Sequence, residues 1–295
     1  TVSAVLNSVS TTTVVSAATR EGVLEVAREH DYRHNLSARM IRSRRSMQVG
    51  VLLRNNARQE HQEILSHPLT WNFLLGINEG LEAGNYMMSL LHGSNLSDEV
   101  LRPSALQGHL LDGLIVVSDL SSVSSQEIER LVPACVWLDS SVWRETNCVR
   151  RDEEAAGELA AQKLCEAGYR DFVYIDRPHT DSQHFSYALR QKGAMRVLES
   201  HGANVQNWEL PFWNDLPSIT ARLEQMKTGG ALLISDAYAC RTILDSTLLS
   251  RCRPGHDFAI ACCDEDFEGT GFELTQKIIP HTRFNRFEAG KIAAQ

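Results

Sequence analysis

From Met47 onward, short aliphatic runs alternate with segments whose apolar residues return every three or four positions. The runs MQVGVLL, YMMSLLHG, DGLIVVSD and ACVWLDS read as strands, and TWNFLLGINEGLEAG, LRPSALQGHL and QEIERLV between them read as amphipathic helices. A second round opens at CVRRD. It continues through helix EEAAGELAAQKLCEAG, strand DFVYIDR, helix FSYALRQKGAMRVLESHG, a helix near LPSITARLEQMK, strand GALLISD, helix AYACRTILDSTLL and strand DFAIACCDED. Strands that are apolar almost throughout, each followed by a helix, predict parallel sheets covered on both faces. Two such rounds predict two doubly wound α/β subdomains.

Ahead of Met47 the texture differs. TVSAVLN puts Val2, Val5 and Leu6 on one helical face, and Ser16 is placed to cap a second helix with Val23, Leu24 and Ala27 at helical spacing. Then comes RHNLSARMIRSRRSMQVGVLL, Arg33 to Leu53. No carboxylate occurs from Tyr32 to Gln59, and Arg33, Arg39, Arg42, Arg44 and Arg45 fall within thirteen positions. So concentrated a positive field suits a polyanion. If Asn35 or Ser37 caps a short helix there, Ala38, Ile41 and Arg42 share a face. An apolar side chain among arginines is what a minor-groove wedge requires; a solvated basic linker is the other reading.

The charge balance sharpens this contrast. The 295 residues carry a formal charge of −8, yet residues 1–48 hold seven Arg and four Asp or Glu, which leaves 22 basic against 33 acidic residues in the remainder. The basic part is a module, and the acidic part keeps the rest of the surface off nucleic acid. Length and a hydrophobic content of 43% are those of an ordinary globular chain of two or three domains. Seven cysteines without a C-x-x-C pair read as reduced thiols in a cytoplasmic protein, and no apolar stretch is long enough for a membrane helix.

In open parallel sheets, ligands sit beyond the carboxyl ends of the strands. Asp139 follows ACVWL, Arg151 and Asp152 follow CVR, Ser235 and Asp236 follow ALLI, and Asp264, Glu265 and Asp266 follow AIACC. Carboxylates so placed can accept hydrogen bonds from ligand hydroxyls or amines, although Asp and Ser also follow strands simply because they cap helices. Catalytic motifs are absent: no G-x-G-x-x-G, P-loop, G-x-S-x-G or H-E-x-x-H occurs. Asp264, Glu265, Asp266 and Glu268 could hold Mg²⁺ only if they converged. Neighbours on a strand point to opposite sides, so no metal, cofactor or catalytic residue is expected.

The segments TVSAVLN, VSAATREGVLEVAREHDY and HNLSARMIRSRRSMQVGVLL resemble the end of a helix-turn-helix, the third headpiece helix, the hinge helix and the first effector-domain strand of the lac repressor family of bacterial transcription regulators, and the resemblance continues along the chain. It implies a partial DNA-binding headpiece and hinge over 1–48 and an effector-binding, dimerising body of periplasmic-binding-protein type over 49–295. Within that body, one subdomain would take about 49–147 plus 281–295 and the other about 148–280, with IIPHTRFN crossing back. It also implies that a first helix and turn, and a C-terminal segment, lie beyond this sequence.

By the same resemblance, Thr1, Ser3 and Asn7 match positions near the DNA backbone, and Ala4 a base-reading position often held by arginine. Asn35, Arg39, Ile41, Arg42 and Arg45 belong to the hinge, with Ile41 as wedge where leucine is usual. Ser186 and Arg190 match effector-holding positions, Trp213 a cleft aromatic that packs on a sugar ring, and Asp139 and Asp264 carboxylates for effector hydroxyls. Ser235 stands where asparagine is frequent, and Asp236 keeps the following aspartate. Arg151 replaces a stacking aromatic, which points to an anionic or more polar effector or to a side chain turned to solvent. The function implied is that of a sugar-responsive repressor, a cytoplasmic homodimer on a double-stranded operator. Its rivals are a solute-binding protein of the same fold, which the basic N-terminal module disfavours, and an α/β enzyme acting on a sugar or nucleotide.

Overall fold

The computed structural model describes residues 2–6, 15–32, 45–54, 68–93, 106, 110–117, 120, 122–176, 184–210, 216–225, 229–249, 253–264 and 280–295. It separates into two compact units, 1–46 and 47–295. In the first, α1 (Val2–Leu6) packs against α2 (Ala17–Glu29), and the Ser16 side chain caps α2 by accepting from the Thr19 amide. Val5 is buried, but Leu24 is 40% exposed, and Val23 and Ala27 are only half-buried. The helix forms where expected, while its apolar stripe stays partly uncovered among the described residues. The hinge residues Asn35, Arg39, Ile41 and Arg42 lie outside the described residues.

The second unit holds two all-parallel sheets. The first contains β1 (Gln48–Arg54), β2 (Met87–Gly93), β3 (Gly113–Val117), β4 (Cys135–Leu138) and β5 (Cys148–Val149) in the order β2-β1-β3-β4-β5. Its helices are α3 (Pro68–Ala83) and α4 (Ser122–Leu131). The second contains β6 (Asp171–Asp176), β7 (Asn204–Glu209), β8 (Ala231–Ile234) and β9 (Ala259–Cys262) in the order β7-β6-β8-β9. With it go α5 (Glu153–Glu166), α6 (Phe185–Ser200), α7 (Leu216–Gln225) and α8 (Ala237–Leu249). After 280 the chain runs beside β9 through a bridge between Cys262 and His281, and its last helix, α9 (Arg286–Ala293), packs against α3.

The two-subdomain α/β architecture expected from the alternating pattern is therefore present, and its physical cause is visible in the core. Successive strand residues face opposite sides of a sheet. Leu52, Leu114, Val116 and Trp137 accordingly go to one face with Ile128 of α4, while Val51, Leu53, Ile115 and Leu138 go to the other with Phe73, Leu74 and Ile77 of α3. In the second sheet, Phe172, Tyr174 and Leu233 meet α5 and α6, and Ile175, Leu232, Ile234 and Ile260 meet α7 and α8. A strand buried on both faces needs apolar residues at every position, which is why these runs are continuous.

Two details differ from the pattern. CV does not open the second round: β5 pairs with β4, at Trp137 to Cys148 and Leu138 to Val149, so the crossover follows Val149. And β7 is a strand that the pattern passed over, because this edge strand is mostly solvent-facing and its sequence, NVQNWE, lacks the apolar run.

Candidate functional site

The carboxyl ends of both sheets bring charge together. Asp139 follows β4, and Asp264 follows β9, the fourth strand of the second sheet as β4 is the fourth counted in sequence within the first. Arg151 touches both: its Nε donates to Asp139 Oδ1 at 3.1 Å and its Nη1 to Asp264 Oδ1 at 3.4 Å. It stands between β5 and α5, where the chain passes from one sheet to the other, so one guanidinium ties the two subdomains. Its Nη2 also lies 2.9 Å from Glu153 at the start of α5.

Glu153 is fully buried and accepts from Arg190 Nε at 2.6 Å, and Arg190 is 1% exposed. Arg190 Nη1 donates to the main-chain carbonyl of Ser235 at 2.8 Å, and Nη2 lies 2.9 Å from Asp264 as an ion pair. Arg286 at the start of α9 donates to Asp264 Oδ1 at 3.2 Å, and the ring of Phe284 lies beneath the guanidiniums of Arg151, at 4.7 Å, and Arg286, at 5.7 Å. Three buried or nearly buried cations thus face three carboxylates, the arrangement that makes charge tolerable away from water.

The electrostatics follow from that pairing. Burial acts to raise the Asp139 pKa, but Arg151 foremost, with His184 and Arg286, more than offsets it and holds the carboxyl below its ordinary value. Burial likewise acts to lower the pKa of Arg151 and Arg190, and the surrounding carboxylates reverse this and push both upward.

A second set of contacts spans the subdomains beside the ion pairs. His184 caps α6; its Nε2 is 3.0 Å from the Asp139 carbonyl and its Nδ1 2.8 Å from Ser186 Oγ. A carbonyl only accepts, so Nε2 carries the proton and Nδ1 takes the Ser186 hydroxyl hydrogen. The Phe185 amide donates to Ser141 Oγ, and Arg150 lies between the rings of Trp143 (4.7 Å) and Phe185 (4.2 Å).

The structure thus brings Asp139, Arg151, Ser186, Arg190, the Ser235 backbone and Asp264 into one neighbourhood. Arg151 is not turned to solvent: its side chain is 9% exposed. Nor does Arg190 belong to a solvated helix face. Lys192 and Arg196 do, pairing with Glu154 and Glu158 at the surface, but two residues are 200° of helix, and Arg190 lies on the opposite side. The Ser235 hydroxyl donates to Asp176, and Asp236 caps α8 by accepting from the Ala239 amide; Asp152 caps α5 in the same way. These are the helix-capping roles that strand-end Asp residues often take. Trp213 and the acidic run after Asp264 lie outside the described residues, as do Thr1 and Asn7. Ser3 and Ala4 are in α1 without described side chains, and Arg45 is exposed.

Glu153, His184, Phe284 and Arg286 were not singled out by the sequence. Glu153 sits one residue past a strand-end Asp and could have been found by extending that search. Arg286 follows no strand, and only the return of the chain places it here.

Two similarly wound parallel sheets with polar, strand-end residues meeting between them define a two-lobed body of the periplasmic-binding-protein type. The comparisons with known proteins agree. No family model matches the chain. The maltose regulon regulatory protein MalI of Escherichia coli (strain K12) is 26% identical over 207 residues, 68% of this chain and 54% of that protein. The structure of the lac repressor bound to ONPG in the repressed state superposes with a TM-score of 0.70 at 18% identity, covering 99% of this chain and 86% of that one. The complex of the transcriptional regulator CelR with cellobiose gives 0.67 at 20% identity, covering 99% and 86%. In sequence the chain is thus similar to regulators of this kind, and it shares the fold of the lac repressor. It spans about half the length of the curated relatives it matches.

Proposed function

We propose that this chain is the sensing body, with part of the headpiece, of a ligand-responsive, sequence-specific DNA-binding repressor whose effector, a sugar or sugar derivative, binds where the two sheets meet. The observation that carries this reading is the cluster of Asp139, Arg151, Arg190, Asp264 and Arg286, polar groups from both subdomains at the strand ends. A ligand that competes for such groups has different affinities for open and closed arrangements, and only a differential affinity can shift a conformational equilibrium. The names of the relatives support the remainder: regulators of a maltose regulon and a sucrose operon, and a repressor whose structures include one bound to operator as a dimer.

The protein would act in the cytoplasm as a homodimer, without catalysing a reaction. Its subdomain angle would set whether two hinge segments can fold together in a roughly palindromic operator, with Thr1, Ser3, Ala4 and Asn7 at the major groove and Asn35, Arg39, Ile41, Arg42 and Arg45 at the hinge. Among the described residues, no helix is long and apolar enough to cross a membrane.

Selection of bound duplexes from a random library by the protein tests this. Enrichment of an imperfect palindrome, with binding altered by a sugar or sugar derivative, is expected. Recovery of no preferred sequence rejects the reading.

A further inference from the structure

Three guanidiniums carried by separate segments end on one carboxylate. Asp264 Oδ1 lies 3.4 Å from Arg151 Nη1 and 3.2 Å from Arg286 Nη2, and Oδ2 lies 2.9 Å from Arg190 Nη2. The cations are the deeper partners: their side chains are 9%, 4% and 2% exposed, against 16% for Asp264. The fit is also poor. Arg190 Nη2 is buried and makes no hydrogen bond, so its 2.9 Å approach to Asp264 is an ion pair whose hydrogens aim elsewhere. Arg190 and Arg151 meanwhile make shorter hydrogen bonds to other groups, Glu153, the Ser235 carbonyl and Asp139. Asp264 receives the remaining donors, two of them crowded on one oxygen.

We propose that the effector is anionic, a sugar carrying a phosphate monoester, and that its phosphoryl group takes the place of the Asp264 carboxylate on Arg151, Arg190 and Arg286. This rests on the regulator reading and deepens it by naming the ligand class. A carboxylate has two oxygens for three guanidiniums. A phosphate monoester has three terminal oxygens, one for each, in charge-assisted hydrogen bonds of the kind the guanidinium fork favours. With Asp264 swung outward, three cations face Asp139 and Glu153 and leave one positive charge, which a phosphate monoester of about −1.5 to −2 at pH 7 more than neutralises. Asp176 and Asp236 lie nearby, but Asp176 accepts from the Ser235 hydroxyl and Asp236 caps α8. In this arrangement Asp264 is an internal competitor of the ligand rather than an acceptor for its hydroxyls.

The two roles of Asp264 predict opposite signs for one substitution. The test is thermal unfolding and calorimetric titration of the purified chain at constant ionic strength, with chloride, inorganic phosphate, glucose and glucose 6-phosphate as probes. In wild type, phosphate and its ester should stabilise the chain where chloride and glucose do not. Asp264→Asn should lower the melting temperature by leaving three guanidiniums with one fewer anion, phosphate should restore most of that loss, and affinity for it should rise at least fivefold. Arg286→Lys, which keeps the charge but loses the planar fork, should weaken binding about tenfold. Inorganic phosphate equalling the ester supports the anion site and assigns it to the free ion. Glucose binding that Asp264→Asn abolishes overturns the proposal while leaving the regulator reading intact, as does phosphate acting no differently from chloride in wild type and in Asp264→Asn. Failure of duplex selection sinks the regulator reading whichever ions bind.

Discussion

At Asp139 the backbone enters the left-handed region, with φ of 51°, immediately beyond β4. Aspartate tolerates that region better than most residues. The turn leaves one residue making two contacts across the subdomains, the carboxylate to Arg151 and the carbonyl to His184. Because its carboxyl is held below the ordinary value, the ion pair contributes stability that is fully present above the unfolded pKa, about 4, and is lost as pH falls through the lower native value. Asp139→Asn should therefore cost about 3 kcal/mol at neutral pH by leaving Arg151 short of an anion, and the cost should shrink on acidification. Urea midpoints of wild type and variant at pH 7 and pH 3 measure this. A gap that stays constant or widens in acid would remove Asp139 from the pH dependence. The sequence placed Asp139 and Asp264 by their position after strands. It could not show that Arg151 would claim both, because that depends on where two sheets end in space.

At the scale of elements, the site depends on how closely α5 and α6 approach. A Cβ at Gly157 would collide with the Arg190 carbonyl oxygen, and one at Gly193 with that of Glu154, so the two backbones touch at reciprocal glycines. Glu153 and Arg190 are brought to 2.6 Å by that crossing. Alanine for glycine inside a helix ordinarily stabilises by about 1 kcal/mol. At Gly157 the sign should reverse, with a net loss of about 1–3 kcal/mol as the helices are forced apart. The same change should weaken effector binding through Arg190. Chemical denaturation and ligand titration of Gly157→Ala check both, and a stabilised variant with unchanged affinity would show that the crossing does not position the arginine. Helical periodicity found both helices; it carries no information about which glycine meets which carbonyl. For the same reason β7 escaped notice, since its place was settled by pairing with β6 at a solvent-facing edge and not by its own apolar content.

For the whole molecule, the proposed function gives the basic module and the two-lobed body separate tasks, coupled through the hinge. An apolar wedge acts only where a base step can be parted, whereas arginines grip any phosphate backbone. Ile41→Ala should thus weaken binding to the selected palindrome about tenfold or more and change nonspecific duplex binding about twofold or less. Anisotropy titrations on both duplexes at matched salt decide it, and equal losses on the two would reject the wedge. The charge asymmetry that suggested a separate module was legible from residue order alone, as was the doubly wound class, because apolar alternation and net charge are properties of short stretches. Which carboxylates meet an arginine, and how Arg286 returns to Asp264, depend on pairings 12 to 113 residues apart. Local sequence encodes the faces of an element; only packing selects the partner each face meets. That is why the class of protein could be read along the chain, while the arginine cluster that gives its cleft a character emerged in three dimensions.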